Sequence, residues 1–178
     1  MKPQEIQQTI ERLIPVIMEA LRQFQIEHAC IQASSLLAKT LHLLGVPEAR
    51  LLTVRVQVFN NAGAMVYVGQ EMETAPEGRW AGHLVVVVPN GFGRQHILID
   101  LTIPQANQSD WEIKVEPMFL RVDDRFLAGK EAANIAAGEL RLSYLAYPND
   151  LSYNSEEDCM AKEGLETVAQ DVIRSMPA

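Results

Sequence analysis

One cysteine lies where the sequence predicts the start of a helix. Cys30 is followed by leucines at helical spacing as far as Leu44, and Gly45 and Pro47 then end this pattern. A thiol at a helix N-terminus faces the positive end of the helix dipole and unpaired backbone N–H groups. Such surroundings lower the pKa of a cysteine and favour the nucleophilic thiolate. Cys30 is therefore a candidate nucleophile, although a small buried side chain is the commoner role of a lone cysteine.

A candidate base and a carboxylate to orient it lie on two successive predicted strands, His83 on 82–88 and Asp100 on 95–102. If residues 90–93 form the connecting loop, antiparallel pairing places His83 directly opposite Asp100, with both side chains on one face. A one-residue change of register would move Asp100 to the other face. An unpaired carboxylate is costly in so apolar a segment, and His83 is its nearest partner by register.

Together these residues are the parts of a Cys-His-Asp nucleophilic site. Cys30 would attack a carbonyl, His83 would take the thiol proton and later protonate the leaving group, and Asp100 would orient His83. The backbone N–H of Cys30 could donate to the oxyanion. The side chain of Gln25 or of His28 could supply the second donor.

Two further residues are weaker candidates. Trp80, close to His83 in the chain, either covers the base or lines a pocket for an acyl group, and simple core packing is an equal alternative. Cys159 follows the acidic run 156–158, which would raise the pKa of its thiol, so it is the poorer nucleophile.

A metal site is a minor alternative. His28, Cys30 and His83 could together bind zinc, but no pair among them has the helical i, i+4 spacing of a ligand pair. The sequence therefore predicts no metal and no other cofactor.

Composition predicts one domain, residues 1–178, with a core of ordinary size, because 48% of the residues are apolar. The net charge of −8 argues against a nucleic-acid partner, since a phosphate backbone repels such a surface. The polar residues 1–8 do not form a signal peptide, and the longest apolar run, 84–89, is too short to cross a bilayer. With no export signal, the two cysteines are expected to be reduced in a cytoplasmic protein without membrane contact.

Hydrophobic periodicity predicts helices first, then a meander of strands, then a helix, which is an α+β fold and not an alternating β-α-β one. Pro15 interrupts the first helix and predicts a kink there. A polar loop is expected over 69–79, and the capping-box spacing at 155–158 opens the last helix. The predicted helices are 3–26, 30–44, a short Ala-rich one from Lys130 and one that carries Leu165 to Met176; the predicted strands are 52–59, 64–68, 82–88, 95–102, 111–115 and 139–147.

Over residues 25–105 the chain resembles the transglutaminase-like superfamily. The resemblance rests on a cysteine at the start of a helix, Gly-His-Leu-Val-Val at 82–86, and Leu-Ile-Asp-Leu-Thr at 98–102. This superfamily belongs to the papain-like cysteine-enzyme fold, to which arylamine N-acetyltransferases are also similar. The resemblance implies N-terminal helices packed on an antiparallel sheet, and thioester acyl chemistry. By position it makes Cys30 the nucleophile, His83 the base and Asp100 the orienting residue.

Two functions follow as expectations. The first is a thiol enzyme, a peptidase, deamidase or acyltransferase, whose substrate is a peptide, a protein or a small acyl compound. The second is a catalytically inactive domain of the same fold that serves as a binding or scaffold module. An enzyme requires the three residues in contact at the edge of a cleft, whereas a scaffold predicts a buried triad or a Cys30 that points away. The sequence does not predict the substrate or the oligomeric state.

Overall fold

The computed structural model describes residues 3–23, 30–69, 82–89, 95–155 and 162–177. These residues contain four α-helices and seven strands, so the predicted α+β class is confirmed. The helices are α1 (Pro3–Gln23), α2 (Cys30–Leu43), α3 (Asp124–Leu127) and α4 (Lys162–Ser175). The strands are β1 (Arg50–Asn60), β2 (Met65–Val68), β3 (His83–Pro89), β4 (Gln95–Asp100), β5 (Met118–Asp123), β6 (Ala133–Ala137) and β7 (Leu140–Tyr147).

All seven strands form one antiparallel sheet in the order β5-β4-β3-β1-β7-β6, with β2 also paired to β1. One edge of β1 pairs with β7. Its other edge is shared, because β3 pairs with the first half of β1 and β2 with the second half. The chain leaves this edge after Val68, which pairs with Val56, and returns at His83, which pairs with Val54. The candidate base is thus the residue at which the chain re-enters the sheet.

The two faces of the sheet bury separate apolar clusters. Helices α1, α2 and α4 cover one face, where they pack on β3 and β4 through Val86, Val88 and Ile99. The other face encloses a second cluster built from β1, β3, β4, β5 and β7, and the segment 103–115 and α3 also pack against it. His83, Asp100 and Tyr144 alternate with residues of the helix-covered face, so they lie on this second, enclosed face. The candidate base and carboxylate therefore lie on the enclosed face of the sheet, opposite the face that the helices cover.

The first two helices follow the predicted patterns. The apolar stripe of α1 is buried, and Pro15 lies within the helix on its exposed side. The described part of helix α2 starts at Cys30, directly after residues 24–29, which lie outside the described part, so the predicted helix start stays a prediction. Gly45 just beyond the end of α2 has a φ of +86°, a conformation that glycine adopts without strain. The predicted loop 69–79 and the predicted capping box at 155–158 fall largely on residues outside the described part. No described helix is long and apolar enough to cross a membrane.

Two predicted elements are wrong. Residues 111–115 form no strand, because the preceding polar residues close a 3₁₀ turn, Ser109–Trp111, and leave Trp111 exposed. The Ala-rich stretch after Lys130 forms no helix. Its residues 133–137 are strand β6, which pairs with β7 through a tight turn at Gly138, where φ is +62°. Pairing along a whole strand outweighs the modest helical preference of alanine there.

Candidate active site

His83 and Asp100 form a buried pair. The Nε2–H of His83 donates to Oδ2 of Asp100 at 2.9 Å, and neither side chain is exposed. The predicted register is nevertheless wrong, because Pro89 pairs with His96 and Val86 with Ile99, so that Asp100 stands opposite Val85. The ladder is displaced by two residues, which keeps both side chains on the predicted face and makes them diagonal neighbours.

Asp100 accepts two further hydrogen bonds. The hydroxyl of Tyr144 donates to Oδ2 at 3.1 Å, and the backbone N–H of Thr102 donates to Oδ1 at 3.1 Å. Burial first, and then the charge of Asp100 and the hydrogen bond to it, raise the pKa of Tyr144 far above its ordinary value. The phenol therefore remains a donor, and Asp100 accepts hydrogen bonds from β3, from β7 and from the backbone just after β4.

Cys30 reaches His83 from the N-terminus of α2. The hydroxyl of Ser34, one helical turn further on, donates to the backbone carbonyl of Leu84 at 2.7 Å and fixes α2 beside β3. Cys30 is partly buried against the small cluster of Ile31, Leu84 and Tyr153. Cys30 is close enough to the imidazole of His83 to contribute to its raised pKa. Of the three predicted residues, His83 and Asp100 are joined by a hydrogen bond, and Cys30 lies beside this pair.

The pKa of His83 is raised by its charged neighbours. Burial by itself would lower the pKa of His83, but the charge of Asp100 and the hydrogen bond to it, followed by the weaker effects of Cys30, raise the pKa to about 10. A nearby carboxylate stabilises imidazolium, so the site favours a charged histidine beside the thiol.

Gln105 is a residue of the site that sequence reasoning missed. It lies on the 3₁₀ turn Ile103–Ala106 that follows β4, and its Nε2 lies 2.9 Å from Nδ1 of His83. The amide N–H donates to Nδ1 of a neutral ring, whereas imidazolium requires the amide oxygen to turn to Nδ1–H. The only signal in the sequence is that Gln105 follows Asp100 by five residues. A turn of that length can bring the chain back over the end of the strand.

The other predicted site residues lie outside the described part of the chain. Gln25, His28 and Trp80 fall there, and so does Cys159, so the second oxyanion donor stays a prediction. The same holds for the zinc alternative, which needs His28. Among the described residues no group of three or more His, Cys, Asp or Glu could hold a metal ion.

Gly69 positions the base from the neighbouring strand. It ends β2 with a φ of +76°, and a Cβ there would lie 2.7 Å from the carbonyl oxygen of Val54 and 2.9 Å from the backbone nitrogen of His83. Both contacts are to backbone atoms of the β1–β3 ladder, which cannot yield without displacing His83.

Gly69→Ala is therefore expected to lower the free energy of unfolding by more than the ~1–2 kcal/mol that a left-handed conformation costs a residue with a Cβ. Gly63→Ala is the matched control, since Gly63 has a φ of +86° and nothing within 4 Å of the added atom. Denaturant unfolding of the two variants measures the difference. Equal losses would show that the ladder at His83 accommodates the methyl group.

Comparison with known proteins adds no identification, because no protein-family model, no curated protein and no solved structure matches the chain. The site is therefore interpreted from its own geometry.

Proposed function

We propose that this protein is a thiol-dependent acyl-transfer enzyme, a peptidase, deamidase or acyltransferase, that works through a thioester on Cys30. The observation that carries the proposal is the buried hydrogen bond from His83 to Asp100, beside which Cys30 lies close enough to contribute to the raised pKa of His83. A thiol, an imidazole and an orienting carboxylate in this order are the parts that nucleophilic acyl transfer requires.

The chemistry uses each contact in turn. In the reacting form the proton of the Cys30 thiol is already held by the imidazole of His83, and the thiolate forms a bond to the carbonyl carbon of the substrate. The carbonyl electron pair moves to oxygen, and the backbone N–H of Cys30 at the helix start donates to that oxyanion. Collapse of the tetrahedral intermediate expels the leaving group, which takes the proton from His83. Water or an amine then attacks the thioester and regenerates the thiol.

The arrangement of elements supports a relationship to the transglutaminase-like and papain-like folds. A cysteine begins α2, which packs on β3 of an antiparallel sheet, and the histidine and the aspartate follow on successive strands, β3 and β4. Helix packing on one face of the sheet agrees with this relationship. We therefore propose the same fold and, by position, the same roles for the three residues.

The non-enzymatic alternative has one observation in its favour. His83 and Asp100 are completely buried, which is what a scaffold with a retained polar core predicts. Cys30 distinguishes the two proposals, because it is only partly buried and still acts on His83. Its reactivity is therefore the quantity to measure.

The test is the rate of Cys30 alkylation by iodoacetamide between pH 5.5 and 10, in a Cys159→Ser background so that a single thiol reacts. At pH 6.5 a free thiol is only ~1% thiolate. We expect the rate at that pH to exceed that of a free thiol, because imidazolium at His83 would stabilise the thiolate. His83→Gln should remove this low-pH reactivity.

His96, which is partly buried and pairs with Asp124 away from Cys30, provides the matched control, and His96→Gln should leave the alkylation profile unchanged. A wild-type profile like that of a free thiol, or one that His83→Gln does not alter, would overturn the proposal and favour the scaffold.

A further inference from the structure

The sheet face that carries helix α2 continues past the helix. Cys30 packs on the small apolar cluster that contains Leu84, and the partner of Leu84 across the sheet is Thr53 of β1. Because directly paired residues share a face, Tyr147 of β7 belongs to the same row. Among the described residues, the apolar clusters under α1, α2 and α4 include none from β2, β6 or β7. These helices therefore leave this face uncovered from the next row onward.

The uncovered part of this face, here called the open face, consists of rows of directly paired residues. Successive rows lie ~7 Å apart along the strands, because side chains on one face are two residues apart. In order of distance from Cys30, the rows are Arg55 and Leu145, then Tyr67, Gln57, Ser143 and Asn134, then Met65, Phe59, Arg141 and Ala136. Tyr67 and Met65 are 41% and 42% exposed. The open face thus begins one row away from the residues on which the thiol packs.

The open face combines aromatic rings with positive charge. The guanidinium of Arg55 lies over the ring of Tyr67, 4.6 Å from its centroid, and this stacking holds the cation in place. Arg141 is exposed and is the second cation. No residue of the open face is an aspartate or a glutamate, although the chain as a whole carries a net charge of −8. The open face is therefore a positive surface on an acidic protein, and its charge is complementary to that of an anionic ligand.

From this geometry we infer that the open face binds an extended, acidic segment of a peptide or protein substrate. An extended chain advances ~3.3 Å per residue, so the row of Arg55 lies about two residues, and the row of Arg141 about six residues, from the row beside the thiol. Arginine pairs well with carboxylates at these distances, and the rings between them accept apolar side chains. The inference rests on the proposed function, because it takes Cys30 as the residue that attacks the substrate.

A single strand of nucleic acid is the less favoured ligand. Rings and arginines suit stacked bases and phosphates in general. A nucleic acid carries a phosphate at every nucleotide, however, and the net charge of −8 repels such a chain. The two arginines of the open face match a few carboxylates better than a continuous line of phosphates.

The experiment measures alkylation of Cys30 by iodoacetyl peptides, on the full chain with Cys159→Ser at neutral pH. The probes are hexapeptide amides in which alanine alternates with glutamate, with glutamine or with lysine, each with the iodoacetyl group on its N-terminal nitrogen. Each rate is divided by the rate with iodoacetamide, so that the thiolate fraction of Cys30 cancels. The glutamate peptide should give a ratio about fivefold above that of the glutamine peptide, as expected for two exposed ion pairs. The net charge of the chain alone would instead favour the lysine peptide.

Two variants locate the binding. Arg55→Gln and Arg141→Gln should each lower the ratio of the glutamate peptide toward that of the glutamine peptide. Arg141 is exposed, so its replacement tests the open face without disturbing the packing of β1. Arg121→Gln makes the same change in net charge at an exposed position on β5, and as the matched control it should leave the ratio unchanged.

The outcomes separate this inference from the proposed function. Equal ratios for the three peptides, or the highest ratio for the lysine peptide, would overturn the inference, whereas the acyl-transfer proposal is decided by the iodoacetamide profile of His83→Gln. A preference for glutamate that survives both arginine replacements would place the acidic ligand elsewhere and would also overturn it. If His83→Gln leaves the iodoacetamide profile unchanged while the preference for glutamate depends on the two arginines, the acyl-transfer proposal fails and the open face is the binding surface of a scaffold.

Two further measurements exclude other occupants. Loss of the preference in the presence of a thymidine oligonucleotide, but not of polyglutamate, would assign the open face to nucleic acid and overturn the inference. A preference that weakens as the protein concentration rises would show that a second copy of the chain covers the open face, with the same consequence. Competition by polyglutamate alone, at every protein concentration, is the expected result.

Discussion

Asp100→Asn is expected to lower the rate of Cys30 alkylation at pH 6.5 by about tenfold or more and to destabilise the protein by ~3–5 kcal/mol. The carboxylate is the largest influence that favours a charged His83, and asparagine removes its charge while keeping its shape. The imidazole would then become neutral, and the thiol would lose the cation that stabilises thiolate. The loss of stability follows because the folded protein gives up the proton that Asp100 holds on His83, and because the hydrogen bonds from His83 and Tyr144 lose their charged acceptor. Alkylation kinetics and denaturant unfolding at pH 6.5 measure the two effects.

Tyr144→Phe is the control for this variant. It removes the hydrogen bond that one neutral donor makes to the same carboxylate oxygen but leaves the charge that faces His83. We therefore expect a cost of ~1.5–3 kcal/mol in stability and little change in the alkylation profile. If Asp100→Asn and Tyr144→Phe behave alike, Asp100 acts only as a structural acceptor, and the triad loses its orienting residue.

The sequence predicted the contact between His83 and Asp100 correctly, although the assumed pairing of the two strands was wrong. Pro89 was expected to pair with Arg94 but pairs with His96, so the true ladder is displaced by two residues. Because side chains alternate with a period of two, an even displacement leaves both on the same face. The face on which a side chain lies can therefore be predicted even where the pairing register is wrong. A single carboxylate in an apolar strand strongly limits this face, because it needs a polar partner there.

Contacts that depend on tertiary packing could not be predicted in this way. Tyr144 reaches Asp100 from a strand 44 residues away, and in the sequence it is simply another large residue of an alternating pattern. Gln105 reaches His83 only because a 3₁₀ turn brings the chain back after β4. The Ala-rich strand β6 was missed because its conformation is set by pairing with β7 and not by its own residues. The local sequence pattern determines which face of a strand is apolar, whereas the partners across the sheet are set by the strand order.

The stability of the protein is expected to fall as the pH rises from 6.5 to 10, with His83 as the cause. The pKa of His83 is raised from 6.5 to about 10 in the folded protein, because the effects of Asp100 and Cys30 exceed the opposing effect of burial. Between these values the folded state binds a proton that the unfolded state has lost. The contribution of His83 is therefore complete below pH 6.5 and disappears as the pH approaches 10, with a steepest slope of ~1.4 kcal/mol per pH unit and a total of up to about 5 kcal/mol.

The free energy of unfolding should be measured at several pH values for wild type and for His83→Gln, which has no titrating ring. Only the difference between the two proteins is assigned to His83, so titration of other groups cancels. The comparison should stop near pH 10, because there unfolded tyrosine begins to ionise while Tyr144, whose pKa is raised, stays neutral in the folded state and adds a loss of its own. A difference that does not change between pH 7 and 9.5 would mean that His83 is neutral in the folded protein. The ion pair with Asp100 would then be absent, and the Nδ1 lone pair would already be free of a proton at neutral pH, so the thiolate of Cys30 would lack its counter-charge.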